Sequence, residues 1–131
     1  MRKKKSNRLP PFVPLTWEML NSRAYKDLSH AAGKSLPYFL GKVKNSFNDP
    51  QRYWTEFSFS YREASKLGFA TTTHHNVISE LIAKGFLEPL KKGGLKSDGK
   101  GYNLFKLSKR WELYGTTDFK EMEWNTFIQP F

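Results

Sequence analysis

The sequence predicts a mainly α-helical fold carrying a small antiparallel β-hairpin. Three observations predict it. Residues 60–67 and 71–84 show apolar positions at helical spacing, separated by the tight Gly68-Phe69-Ala70. Gly85-Phe86-Leu87 then closes the second helix and opens a strand. A loop rich in lysine and glycine, residues 91–101, leads into Tyr102–Leu107, which alternates like a returning strand.

The elements follow in chain order. Residues 1–8 hold five basic and no acidic groups and read as a disordered basic arm. Pro10, Pro11 and Pro14 hold the next stretch extended. Thr16 is placed to N-cap a short helix through Leu20, and a second turn starting at Ser22 brings Tyr25 and Leu28 inward. The first long helix begins at Ser29. Ala32, Leu36, Phe39, Leu40, Val43 and Phe47 line one face of it. Pro37 removes the hydrogen bond to the Gly33 carbonyl, so a kink or two shorter helices are expected around 33–37. Asn45 to Tyr53 reads as a polar loop. Trp54, Phe57 and Phe59 suggest a short extended segment with Phe57 and Phe59 on one face.

Ser60-Tyr61-Arg62-Glu63 fits a capping box, in which the Ser60 hydroxyl accepts from the Glu63 amide and the Glu63 carboxylate reaches back. Tyr61, Ala64 and Leu67 follow on one side. Gly68 suits the left-handed position just past the helix end. In the helix over 71–84, His74, Val77, Ile78, Leu81 and Ile82 form the apolar side. Thr72, Asn76, Ser79 and Ala83 lie opposite, with Thr71 and His75 on the flank. The N-cap position at Ala70 lacks a capping side chain, and Thr71 is a candidate cap one residue later.

An outer face of small polar side chains fits a DNA major groove without steric conflict. Asn76 suits bidentate contact to adenine, and Thr72 suits a hydroxyl or methyl contact. Thr71, Thr72, His75, Asn76 and Ser79 are therefore the candidate base contacts; an ordinary solvated helix face is the bland alternative. The loop 91–101 carries four lysines and four glycines. Lysine is a point charge suited to phosphate, which makes Lys91, Lys92, Lys96 and Lys100, with Arg62 on the shorter helix, the candidate phosphate contacts. Gly94 to Lys100 approximates a nucleotide-binding loop, but Gly101 stands where Ser or Thr is required and a strand follows instead of a helix. Adjacent His74 and His75 point about 100° apart on a helix and form no metal pair. His74 is expected to pack inside.

Leu67-Gly68-Phe69 resembles the turn of winged helix-turn-helix regulators. Leu81-Ile82-Ala83-Lys84-Gly85-Phe86-Leu87 resembles the exit from their recognition helix. The resemblance implies a winged-helix domain over 9–110 that binds double-stranded DNA, with 71–84 in the major groove and 91–101 as the wing on phosphates. Pro11-Phe12-Val13-Pro14-Leu15 and the helix before the 60–107 motif are similar to short bacterial replication-initiator-like proteins, so transcription regulation and plasmid- or phage-type replication initiation both stay open. Two departures stand out: Ala70 replaces the usual Ser or Thr cap, and the outer face lacks the arginine that reads guanine.

Charge agrees with a polyanionic partner. The chain has 131 residues and a formal charge of +10. Residues 9–110 hold sixteen basic and eight acidic groups, whereas 111–131 hold one and four. With no cysteine there is no disulfide, thiolate metal site or cysteine nucleophile. No Ser-His-Asp spacing or carboxylate cluster suggests catalysis, so no enzyme and no cofactor are expected. No run approaches the roughly 18–20 apolar residues that span a bilayer, and a cytoplasmic protein is expected. The extension 111–131 is acidic and holds six aromatic residues, Trp111, Tyr114, Phe119, Trp124, Phe127 and Phe131. Leaving them in water is costly. It packs on its own domain, on a homodimer mate or on a protein partner. A protein-interaction module and an RNA-binding protein remain the alternative functions.

Overall fold

The computed structural model describes residues 10–93 and 102–127. Among the described residues it is mainly helical, with five α-helices and a small two-stranded antiparallel sheet. The helices are α1 (Trp17–Leu20), α2 (Arg23–Lys26), α3 (His30–Leu40), α4 (Tyr61–Lys66) and α5 (Thr71–Ala83). The strands are β1 (Leu87–Lys91) and β2 (Leu104–Leu107), and short 3-10 turns cover Pro50–Tyr53 and Arg110–Leu113.

Local capping sets where the helices start. Thr16, Ser22, Ser29 and Ser60 each accept an amide three residues on, at about 3.0–3.1 Å. The full capping box at Ser60 is present, with Ser60 N donating to Glu63 Oε1 at 2.8 Å. Such a cap contributes about 1 kcal/mol. The ends of α4 and α5 repeat one device. Gly68 (φ 96°) and Gly85 (φ 95°) take the left-handed conformation. The amides of Phe69 and Phe86 then return 2.9 Å to the carbonyls of Ala64 and Leu81.

Three sequence expectations are corrected. Of the kink or two shorter helices expected around 33–37, the second is overturned: His30–Leu40 is one helix, α3, with Pro37 inside it. Proline forfeits only its own N–H bond, while buried Leu36, Phe39 and Leu40 hold both sides of it against the core. Phe47 does not extend that face. The helix ends at Gly41, Val43 is still turned inward, and Phe47 is left 49% exposed beneath the Arg52 guanidinium. Thr71 does not cap α5: Ala70 holds the N-cap position without a side-chain bond, and Thr71 is the first helical residue.

α3 and α4 both pack on α5, and the inner face of the sheet closes the core. Leu87, Phe105 and Leu107 point inward, as strand alternation requires. Phe39 sits at the centre, with the Phe59, His74, Phe105 and Phe57 rings at 4.6, 5.9, 6.3 and 6.4 Å. Phe57 exchanges both backbone bonds with Phe105, at 2.8 and 2.9 Å. Phe105 also lies opposite Pro89 of β1. Its N–H and C=O are already spent on Phe57, so that position of β1 needs no donor and tolerates proline.

The extension after residue 110 joins this core as far as it is described. Trp111 stacks on Phe86 at 6.0 Å and Trp124 lies 5.5 Å from Phe105; both are buried. Phe131 lies outside the described residues. Arg110 ties the pieces together. Its Nη2 donates to the carbonyls of Ile82 (2.7 Å) and Leu87 (2.9 Å), and its Nη1 to that of Lys120 (2.8 Å).

Candidate nucleic-acid interface

The amphipathic pattern of α5 produces the candidate surface. Its inner side, His74, Val77, Ile78, Leu81 and Ile82, is buried as the spacing requires. Thr72 and Asn76 are exposed on the opposite side, with Ser79 half-buried further along the same stripe. Thr71 is exposed and His75 half-buried on the flank. Helical offsets of four and three residues bring Thr72, Asn76 and Ser79 onto one line. These side chains can donate, accept or present a methyl group, and none brings a charge to the stripe.

What fixes this surface is polar as well as apolar. The Glu80 carboxylate accepts from Ser29 N at 2.6 Å and from Ser29 Oγ at 2.7 Å, which pins the middle of α5 to the start of α3. A carboxylate at a helix N-terminus is also favoured by the helix dipole. Lys42 pairs with Glu63 and lies 4.8 Å over the Phe59 ring, locking α3 to α4. That ammonium holds the Glu63 carboxyl below its ordinary value. His74 anchors α5 from beneath. Its Nε2 lies 3.1 Å from the Phe59 carbonyl, which can only accept, so Nε2–H donates. Burial lowers its pKa, and among the described residues its buried Nδ1 has no hydrogen-bond partner.

The start of α5 lacks a side-chain cap: Ala70 offers its first amides no side-chain acceptor. Phe69, just before it, carries Lys34 Nζ at 5.7 Å and the edge of Tyr38 at 6.4 Å. The sequence reading missed both residues. Lys34 and Tyr38 are one helical turn apart on α3, a visible spacing, but nothing local says that this face meets the turn before α5.

The candidate phosphate contacts are less uniform than the sequence suggests. Arg62 is exposed on α4. Lys91 lies 4.6 Å over the ring of Tyr102, and Tyr102 is itself half exposed. Lys92 is committed inside the molecule: it donates to the Asn125 carbonyl at 3.1 Å and lies 5.1 Å over Trp124. Gly93 N donates to Asn103 Oδ1 at 2.7 Å, closing the neck of the hairpin. Lys96 and Lys100 lie outside the described residues.

Among the described residues no helix is long and apolar enough to cross a membrane. No protein-family model matches the chain, and neither a curated protein nor a solved structure shows significant similarity to it.

Proposed function

We propose that the chain is a winged helix-turn-helix module that binds double-stranded DNA with sequence preference. α5 enters the major groove and the β1–β2 loop lies on the phosphate backbone, in transcription regulation or replication initiation. On this reading it is a cytoplasmic binding protein with no catalytic role and no cofactor. The observation that carries the reading is the order α4, tight glycine turn, α5, hairpin, with Thr72 and Asn76 of α5 exposed opposite a buried apolar face. The uncapped start of α5 and the excess of basic groups support it, because backbone amides and the helix dipole there favour phosphate.

The test is a randomised-site selection followed by a salt titration. Asn76→Ala and Thr72→Ala change the selected sequence more than they change affinity for random duplex. A bidentate Asn–adenine pair contributes about 1–3 kcal/mol of discrimination. Lys96→Ala and Lys100→Ala weaken all duplexes alike, each lowering the log–log salt slope by about 0.9. An unchanged selected sequence in both α5 variants would remove α5 from the groove.

A further inference from the structure

One surface of this basic chain is acidic. An open groove runs beside α1, between residues 47–54 and the end of β2. Glu18, Asp49, Glu88 and Glu112 line it against Lys106 and Lys109, four carboxylates to two ammonium groups. Asp49 is held anionic by the Asn45 side chain and the Gln51 amide. Glu88 is answered internally, by Ser108 Oγ at 3.1 Å and by Lys106 and Arg110 at 3.9 Å. Glu18 and Glu112 are exposed. The floor is aromatic: Trp54 is 67% exposed and already has Lys106 Nζ 4.3 Å from its ring, and Lys109 lies 5.0 Å over Tyr53. The groove therefore already holds lysines in the way it would hold further ones, with ammonium groups over rings and, for Lys106, beside the Glu88 carboxylate.

A second groove shares Phe47 with the first and is lined by Pro10, Pro11, Val13 and Pro14, so the first described residues lie beside the acidic surface. We propose that the N-terminal residues 1–9 of the same chain dock back into this acidic, aromatic groove, with Arg2, Lys3 and Lys4 against Glu18, Asp49 and Glu112. The reach is sufficient. Six residues separate Pro10 from Thr16 on the groove wall, at most about 21 Å of extended chain. Six residues running back from Pro10 end at Lys4. Exposed ion pairs are individually weak and screened by salt, so the docking is reversible. A polyanion competes for the same cations, and docking withholds them until a stronger anion is present.

The experiment needs no DNA, so its outcome is separate from that of the duplex-binding reading. The chain has no cysteine, and Ser6→Cys creates one site for a nitroxide label on the full-length protein. At low salt, paramagnetic broadening is expected at the Trp54 indole N–H and at the amides of Thr16, Gln51 and Glu112. It disappears near 1 M salt, where the screening length is about 3 Å. Glu18→Gln combined with Glu112→Gln reduces it at least about twofold, whereas Glu121→Gln does not. The unlabelled spectra report whether each variant is folded. Broadening that is absent, uniform or centred on residues 118–123 overturns the proposal, as does broadening unaffected by the two neutralised carboxylates. Broadening seen between labelled and unlabelled molecules in a mixture assigns the groove to a second copy and also overturns it.

Discussion

Gly68 and Gly85 have the same backbone and different surroundings. Both hold φ near +95°, where any side chain is strained by about 1–3 kcal/mol. A Cβ at Gly68 meets nothing within 4 Å, whereas one at Gly85 comes 2.5 Å from Trp111 N and 2.8 Å from Arg110 C. Gly68→Ala is therefore expected to cost the strain alone, and Gly85→Ala distinctly more, as read by chemical denaturation; equal costs would contradict the close approach of residues 110–111. His74 makes a second prediction. Its folded pKa lies below the unfolded value because burial disfavours the charged ring. The folded state then binds fewer protons, so this stability is complete above the ordinary histidine range near 6.5 and is lost as pH falls below it. Glu63, also shifted down, acts in the same direction at lower pH. Stability should fall from pH 7.5 to 5.5, and His74→Gln should flatten that interval. An unchanged slope would place the titration elsewhere.

At the scale of elements, short helices are held by their ends and by what crosses between them. α4 has only six residues, too few to persist on propensity, and its capping box and Schellman end supply much of its definition. Ser60→Ala is expected to cost about 0.5–2 kcal/mol and to weaken the pairing of Glu63 with Lys42. The α5–β1 connection depends on Arg110, whose fork reaches the last turn of α5, the first residue of β1 and the Lys120 carbonyl. Lysine cannot serve three carbonyls from one planar group. Arg110→Lys should therefore lower stability by on the order of 2 kcal/mol, with hydrogen-exchange protection lost first in residues 110–120.

For the whole molecule, the decisive fact is that the aromatic extension completes the core. Removing residues 111–131 takes away two buried tryptophans, Trp111 stacked on Phe86 and Trp124 tilted against Phe105. Fully burying one such side chain stabilises by roughly 1.5–3 kcal/mol or more. The truncated chain is expected to melt far lower, or to lose cooperative unfolding, with its oligomeric state by light scattering unchanged. A halved mass would show that the same residues also join two copies. Lys92 couples this packing to the proposed DNA surface, since its contacts with Asn125 and Trp124 lie at the neck of the hairpin.

Local rules were enough to read the caps at Thr16 and Ser60, the starts at Ser22 and Ser29, the left-handed glycine at 68 and the inner face of α5. Each depends on residues within one or two turns of one another, and that information is written in order along the chain. The candidate stripe Thr72, Asn76 and Ser79 was legible for the same reason: it is the complement of a buried face. Interactions across the fold were not. Glu80 capping α3, Lys34 and Tyr38 beside the turn before α5, the Arg110 clamp and the turning away of Phe47 all join or separate residues through space. Composition showed that the extension's aromatics had to be covered, because exposing them to water is costly. Only the tertiary structure decided what covers them, because burial energy is non-directional and any apolar surface, on this chain or another, would have satisfied it.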